Sequence, residues 1–237
     1  MNIALPLASG AAAIILLSAA VEMPDGNSVL HRAGESGTAF SDTVALNPMD
    51  ILDDPYRAGL PYEGSPPSSV CAVHFTDSSQ RHYLLKTFDT AREAVAAGYR
   101  VTHHGACGAC SPLRDLDVYL RNPDLTRAAR KCAFRMSRRG ITRCLEGLGM
   151  SSPCARIWYY NIRNTARHCL GTCLRSWMRR EPYNGADGSL NRCLRCDEEK
   201  SGPLFKRYAG RTRRNSGIES EIVRGADEVL PVGHGYR

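Results

Sequence analysis

The chain has 237 residues, 43% of them hydrophobic and 23% charged, and its 31 Lys and Arg against 24 Asp and Glu give a net charge of +7. These proportions belong to a globular protein of one or two domains and exclude a wholly disordered chain and a multi-span membrane protein. Ten cysteines beside only 7% aromatic residues indicate a modest core supported by crosslinks.

Residues 3–21 form an uncharged apolar run in which Ser18 and Ala20 satisfy the small-x-small rule for cleavage after Ala20. Residues 1–20 are therefore expected to be a signal peptide, although Met1-Asn2 offers no basic n-region. The run is also just long enough, at about 20 residues, to stay as an N-terminal anchor. Either reading places the body outside the cell or in the lumen of the secretory pathway, and confines membrane contact to this segment.

Residues 21–69 read as a linker, with Pro24, Pro48, Pro55, Pro61, Pro66 and Pro67 and no sustained periodicity. Residues 21–70 hold eight acids and two bases, a net −6, so the chain from residue 71 onward carries +13. Of the 31 bases, 27 are Arg. A basic body suits an anionic ligand or surface, while a secretory compartment argues against nucleic acid.

From residue 70 to about 230 the pattern is that of one α+β body, followed by a tail over 231–237. Residues 70–75 and 83–88 have strand composition around a turn cluster at 76–80. Thr90 and Glu93 make a capping box for a short helix ending at Gly98, and 99–102 reads as a third strand, giving a β-β-α-β layer. About five helices follow. Ser111-Pro112 opens the first, which ends at Asn122-Pro123. Thr126 caps a second, through about residue 138, and Gly140 breaks it. Ile141, Cys144, Leu145 and Leu148 mark a third, closed by Gly149. Ser152-Pro153 opens a fourth, to about residue 180, with the stripe Cys154, Ile157, Trp158, Asn161, Thr165, Cys169, Cys173, Ser176 and Trp177. The fifth spans about 196–208, before Gly210.

The cysteines are Cys71, Cys107, Cys110, Cys132, Cys144, Cys154, Cys169, Cys173, Cys193 and Cys196. An even count behind a secretory leader predicts a disulfide framework stapling the helices, with connectivity open. Cys169 and Cys173 stand one turn apart and face the same neighbours. Two alternatives compete. Cys107-Gly108-Ala109-Cys110 lies between a strand and a helix start, where a thiolate is stabilised, so this pair is the candidate for a thiol–disulfide oxidoreductase. Cys107, Cys110, Cys193 and Cys196, with His103 and His104, are the candidate zinc ligands, although 82 residues separate Cys110 from Cys193.

Arg211-Thr212-Arg213-Arg214 has three readings. Arg211, Arg213 and Arg214 are candidate contacts for an anion. They are equally partners for Asp197, Glu198 and Glu199, or a processing signal cut after Arg214. No GxSxG, HExxH, phosphate-binding or dinucleotide-binding motif is present, so no cofactor is expected.

The strings VTHHGACGACSPLRDL (101–116), PDLT (123–126) and CLRCDEEKSGPLFKRYAGRTRRNSG (193–217) resemble an uncharacterised group of secreted, cysteine-rich proteins of algae and other microbial eukaryotes. The resemblance covers about residues 70–237. It implies secretion and a body beginning near residue 70, and it carries no catalytic residue with it. The resulting expectation is a secreted or lumenal binding protein for an anionic ligand or surface, with oxidoreductase and zinc module as the competing functions.

Overall fold

The computed structural model describes residues 29–32, 53–57 and 66–235 other than 79, 81 and 226. The signal-peptide or anchor segment, most of the acidic linker and residues 236–237 lie outside the described residues.

Four antiparallel strands, β1 (Val29–Arg32), β2 (Val70–Phe75), β3 (His82–Phe88) and β4 (Arg100–His104), pair in the order β1-β3-β2-β4. β2 is central and covered on both faces over Val70–Val73, which is why that stretch is wholly apolar, whereas His74 beyond it is exposed. Its Cys71 and Val73 face the main core, whereas Val70 and Ala72 pack with Ala94 on α1 (Ala91–Ala96). The Thr90 hydroxyl accepts the Glu93 amide at 3.2 Å to start α1, and Gly98, with φ +79°, ends it. The β-β-α-β layer is thus as the sequence predicts. β1 extends it from within the stretch read as linker.

The helical array is α2 (Leu113–Arg121), α3 (Leu125–Ala133), α4 (Arg138–Glu146), α5 (Ser152–Met178), α6 (Arg192–Lys200) and α7 (Gly202–Ala209), with a 3-10 turn at Arg214–Ser216. The α+β class holds, with six helices in the array rather than five. The helix expected over 196–208 is two, because buried Ser201 ends α6 and Gly202-Pro203 restarts the chain as α7. Local caps also differ. Asp124, not Thr126, caps α3. Gly140 does not break a helix: the Ser137 hydroxyl accepts its amide at 3.0 Å and starts α4 there. The break falls earlier, at Met136, with φ +59°.

All ten cysteines are paired. Cys71–Cys107 ties the sheet to the loop after β4, Cys110–Cys154 ties the start of α2 to α5, and Cys132–Cys144 joins α3 to α4. Cys169–Cys196 and Cys173–Cys193 staple α5 to α6 twice, as the one-turn spacing of Cys169 and Cys173 demands. Loops closed over 12 to 44 residues stabilise by about 3–4 kcal/mol each in the chain-entropy account. The core between sheet and helices contains Leu113, Leu116, Tyr119, Ile141, Leu145 and Ile157.

α2 meets the start of α5 through a buried carboxyl. Asp115 accepts the Ser151 amide at 2.8 Å and the Ser151 hydroxyl at 2.6 Å. Burial outweighs these bonds and pushes the Asp115 carboxyl up to about 6. The unfolded chain therefore ionises first as pH rises. The stability this group confers is complete below about pH 4 and is lost as pH climbs through about 6. Asp115→Asn keeps an acceptor for the Ser151 amide and abolishes the titration. Its unfolding free energy, relative to that of the native protein, is expected to rise by about 3 kcal/mol between about pH 4 and pH 7 in urea titrations. Parallel curves for the two proteins would contradict this assignment.

Candidate functional site

The two ends of the motif strings meet in space. Ala109 donates its amide to the Tyr208 carbonyl at 2.9 Å and Cys110 to the Ala209 carbonyl at 2.8 Å, so the segment around Gly108 runs against the end of α7. Gly108 and Gly210 lie at the crossing, where no side chain fits on either. Arg211 follows at once and is fully buried. Its guanidinium donates to the carbonyls of Cys110 (3.1 Å), Thr102 (3.0 Å) and Ser111 (2.9 Å) and to the Ser216 hydroxyl (3.3 Å).

This corrects the sequence reading of Arg211 as a ligand contact. Its fork is consumed in joining β4, the start of α2 and the 3-10 turn. The same junction disposes of the Cys107–Cys110 pair. Cys107 bonds Cys71 and Cys110 bonds Cys154, so the two sulfurs do not form the bridge that a CxxC redox couple requires. The zinc set is likewise not assembled: Cys193 and Cys196 are bonded to α5, and no group of metal-ligating residues occurs among the described residues. His103 is buried, with Nδ1 2.9 Å from the His104 carbonyl and Nε2 2.7 Å from the Ser111 hydroxyl. Burial holds its ring neutral, well below the usual histidine range.

The other two arginines of the string reach a different place. A cavity of about 1000 Å³ lies between α3, α5, α6, α7 and the chain after Arg211. One wall is the α5 stripe Trp158, Ile162, Ala166, Leu170, Leu174 and Trp177, spaced by three or four residues. Trp158 meets Phe205 of α7 edge-on at 5.1 Å and donates its indole N–H to the Tyr119 hydroxyl at 3.2 Å. Ile218, Ile222 and Val223 form the opposite wall. That wall is secured by the Leu230 amide on the Arg214 carbonyl (2.8 Å) and by His234 Nε2, 2.6 Å from the Ser216 carbonyl. The chain beyond the predicted cleavage point after Arg214 is therefore a working part of the cavity.

The floor is polar. Thr165 donates to Asp197, whose carboxyl burial pushes above the ordinary range, and the Tyr56 hydroxyl lies 3.0 Å from Asn161 Oδ1. Tyr56, which also stands 2.9 Å from the Ser201 carbonyl, packs against the core from a segment read as linker.

The edge is cationic. Arg214 pairs with Glu198 at 3.6 Å and Glu228 at 2.9 Å, and Arg224 pairs with the same two acids, so these charges are balanced. This bears on Glu198, one of the acids placed in sequence reach of the arginines. Arg213 differs. Its guanidinium is partly desolvated, which pulls it below the usual arginine range. It lies over the Tyr119 ring at 5.8 Å and donates to the carbonyls of Glu219 (2.9 Å) and Asn122. No carboxylate among the described residues forms an ion pair with it, and the same holds for Arg130 and Lys206 at the rim.

Sequence reasoning found Trp158, Asn161, Thr165 and Trp177 but assigned them to the core stripe. It missed Ile162, Ala166, Leu170 and Leu174. The available signal was a second apolar stripe on α5, one position out of phase with the cysteine-bearing face.

The molecule is thus a disulfide-stapled α+β protein with an apolar, arginine-edged groove between its helices and its carboxyl-terminal strap. A model of a family of unknown function (DUF8771) matches residues 138–232, which include α4 to α7, Arg213 and the strap. No curated protein and no solved structure matches the chain.

Proposed function

We propose that this is a secretory-pathway binding protein whose groove takes an amphipathic anion, a long-chain carboxylate in chemical class, and binds it without converting it. The observation that carries the reading is the pairing of an apolar cavity of about 1000 Å³ with the Arg213 guanidinium, which holds no carboxylate partner among the described residues. A cavity of that size, mostly apolar with a few convergent polar groups, suits a lipid-sized molecule. A partly desolvated guanidinium grips a carboxylate more strongly than an exposed one does. Five disulfides support the oxidising compartment. Of the arginines first singled out, Arg213 is the anion contact and Arg214 is its ion-paired neighbour.

Fluorescence titration with anilinonaphthalene sulfonate, followed by displacement with palmitate, tests this. Native protein is expected to bind both. Arg213→Ala is expected to weaken palmitate by about tenfold, the loss of one charge-assisted contact. Ala166→Trp, which fills the groove, is expected to abolish binding with the circular dichroism spectrum intact. Absence of binding by native protein, or equal binding by both variants, would defeat the proposal.

A further inference from the structure

We infer that the mouth of this groove is an interfacial surface that docks on an anionic lipid bilayer. Residues 125–180, which contain α3, α4 and α5, hold thirteen Arg and Lys against one acid, Glu146. Arg127 pairs with Asp124 at 3.0 Å and Arg179 with Glu181 at 4.0 Å. Around the mouth the same elements expose large apolar side chains that a soluble surface ordinarily covers. Phe134 is 67% exposed and Trp177 57%, with Leu170 and Leu174 between them, and all four line one cavity. Met136, two residues beyond Phe134 at the α3–α4 corner, is 82% exposed.

The bases interleave with this apolar set. Arg167 precedes Leu170 by one helical turn, Arg175 precedes Met178 likewise, and Lys131 and Arg135 flank Phe134. All four of these bases are exposed. The acid on the strap side of the cavity is Glu219.

Exposed aromatic and aliphatic side chains ringed by arginine fit the boundary between headgroups and acyl chains, where the rings enter and the guanidinium groups meet phosphate. A soluble polyanion would be met by the charges alone and would leave Phe134, Leu174 and Trp177 in water. No helix among the described residues is long and apolar enough to cross a membrane, so the contact is with the surface. The sequence alone assigned membrane contact to residues 3–21. This surface is a second and separate one. It does not require the groove to be filled, although a ligand entering from a bilayer would pass through this mouth.

Flotation of the folded, disulfide-intact protein tests it, using vesicles of phosphatidylcholine alone and with about one third phosphatidylglycerol. Native protein is expected to bind the anionic vesicles about tenfold more tightly than the neutral ones, with a blue shift of tryptophan fluorescence and weakening at high salt. The double variant Leu174→Ser/Trp177→Ser and the double variant Arg167→Glu/Arg175→Glu are each expected to lose about tenfold, with unchanged thermal midpoints because these residues are exposed. Ala166→Trp, which blocks the groove, is expected to dock normally, so failure of the ligand proposal and failure of this one are told apart. Equal or absent binding to the two vesicle types would overturn the inference. So would full binding by the Leu174→Ser/Trp177→Ser variant, which would reassign the surface to soluble polyanions.

Discussion

Arg211→Met is expected to lower stability by about 4–6 kcal/mol, enough to unfold much of the population at room temperature even with five disulfides in place. The native guanidinium serves three main-chain carbonyls at once, those of Thr102, Cys110 and Ser111, in a site sealed from water. Methionine matches much of the volume and removes the charge, so the cost is that of three buried acceptors left without donors, at about 1–3 kcal/mol each. Arg211→Lys is expected to recover only part of the loss, because a single ammonium cannot span a planar fork. Two residues on, Arg213→Met is expected to cost less, about 1–2 kcal/mol, since the Glu219 and Asn122 carbonyls that it serves lie at an open cavity edge rather than in a sealed junction. Urea titrations followed by circular dichroism compare the three. A midpoint for Arg211→Met close to the native value would show that the buried fork is dispensable.

Substitution at the glycine crossing is expected to be as severe. Gly210 has φ +71° and ψ −63°, and the Arg211 amide donates back to the Ala209 carbonyl at 2.8 Å, which makes this a γ-turn of the kind strained for any residue with a side chain. A Cβ on Gly210 would stand 2.8 Å from the Ala106 carbonyl oxygen and nearer still to the Gly108 amide nitrogen. A Cβ on Gly108 would stand 2.5 Å from the Gly210 amide nitrogen. These neighbours are main chain and cannot swing away. Gly210→Ala and Gly108→Ala are each expected to cost about 3 kcal/mol or more, and the double variant little beyond the worse single one, because both open the same crossing. Gly171→Ala is the control. It lies mid-helix in α5 with open space where its Cβ would go, and is expected to gain about 0.5–1 kcal/mol. Thermal melts of the four proteins decide it, and native-like melting by Gly210→Ala would refute the account.

These two predictions explain why the distinctive strings around Gly108 and Arg211 look like a functional motif. Cys110 of CGAC and Arg211 of AGRTRR are 101 residues apart in the chain, and the glycines and arginine of the two strings form one structural joint. The chemistry of an arginine cluster or of a CxxC pair depends on what else approaches it, and that was supplied by β4, α2 and the 3-10 turn.

Periodicity and punctuation were sufficient for the local elements. The capping pair at Thr90 and Glu93, the Gly98 stop, and the long run after Ser152 are decided by contacts within a turn or two, so they are legible in order along the chain. The even cysteine count likewise indicated that bridges would form, and the turn spacing of Cys169 and Cys173 that both face the same neighbours. Which sulfur met which, whether Arg211 faced water or carbonyls, and which stripe of α5 lined a cavity were decided only by tertiary structure. Each depends on the approach of segments tens of residues apart, and a helix with two apolar stripes does not itself say which one its neighbours will cover.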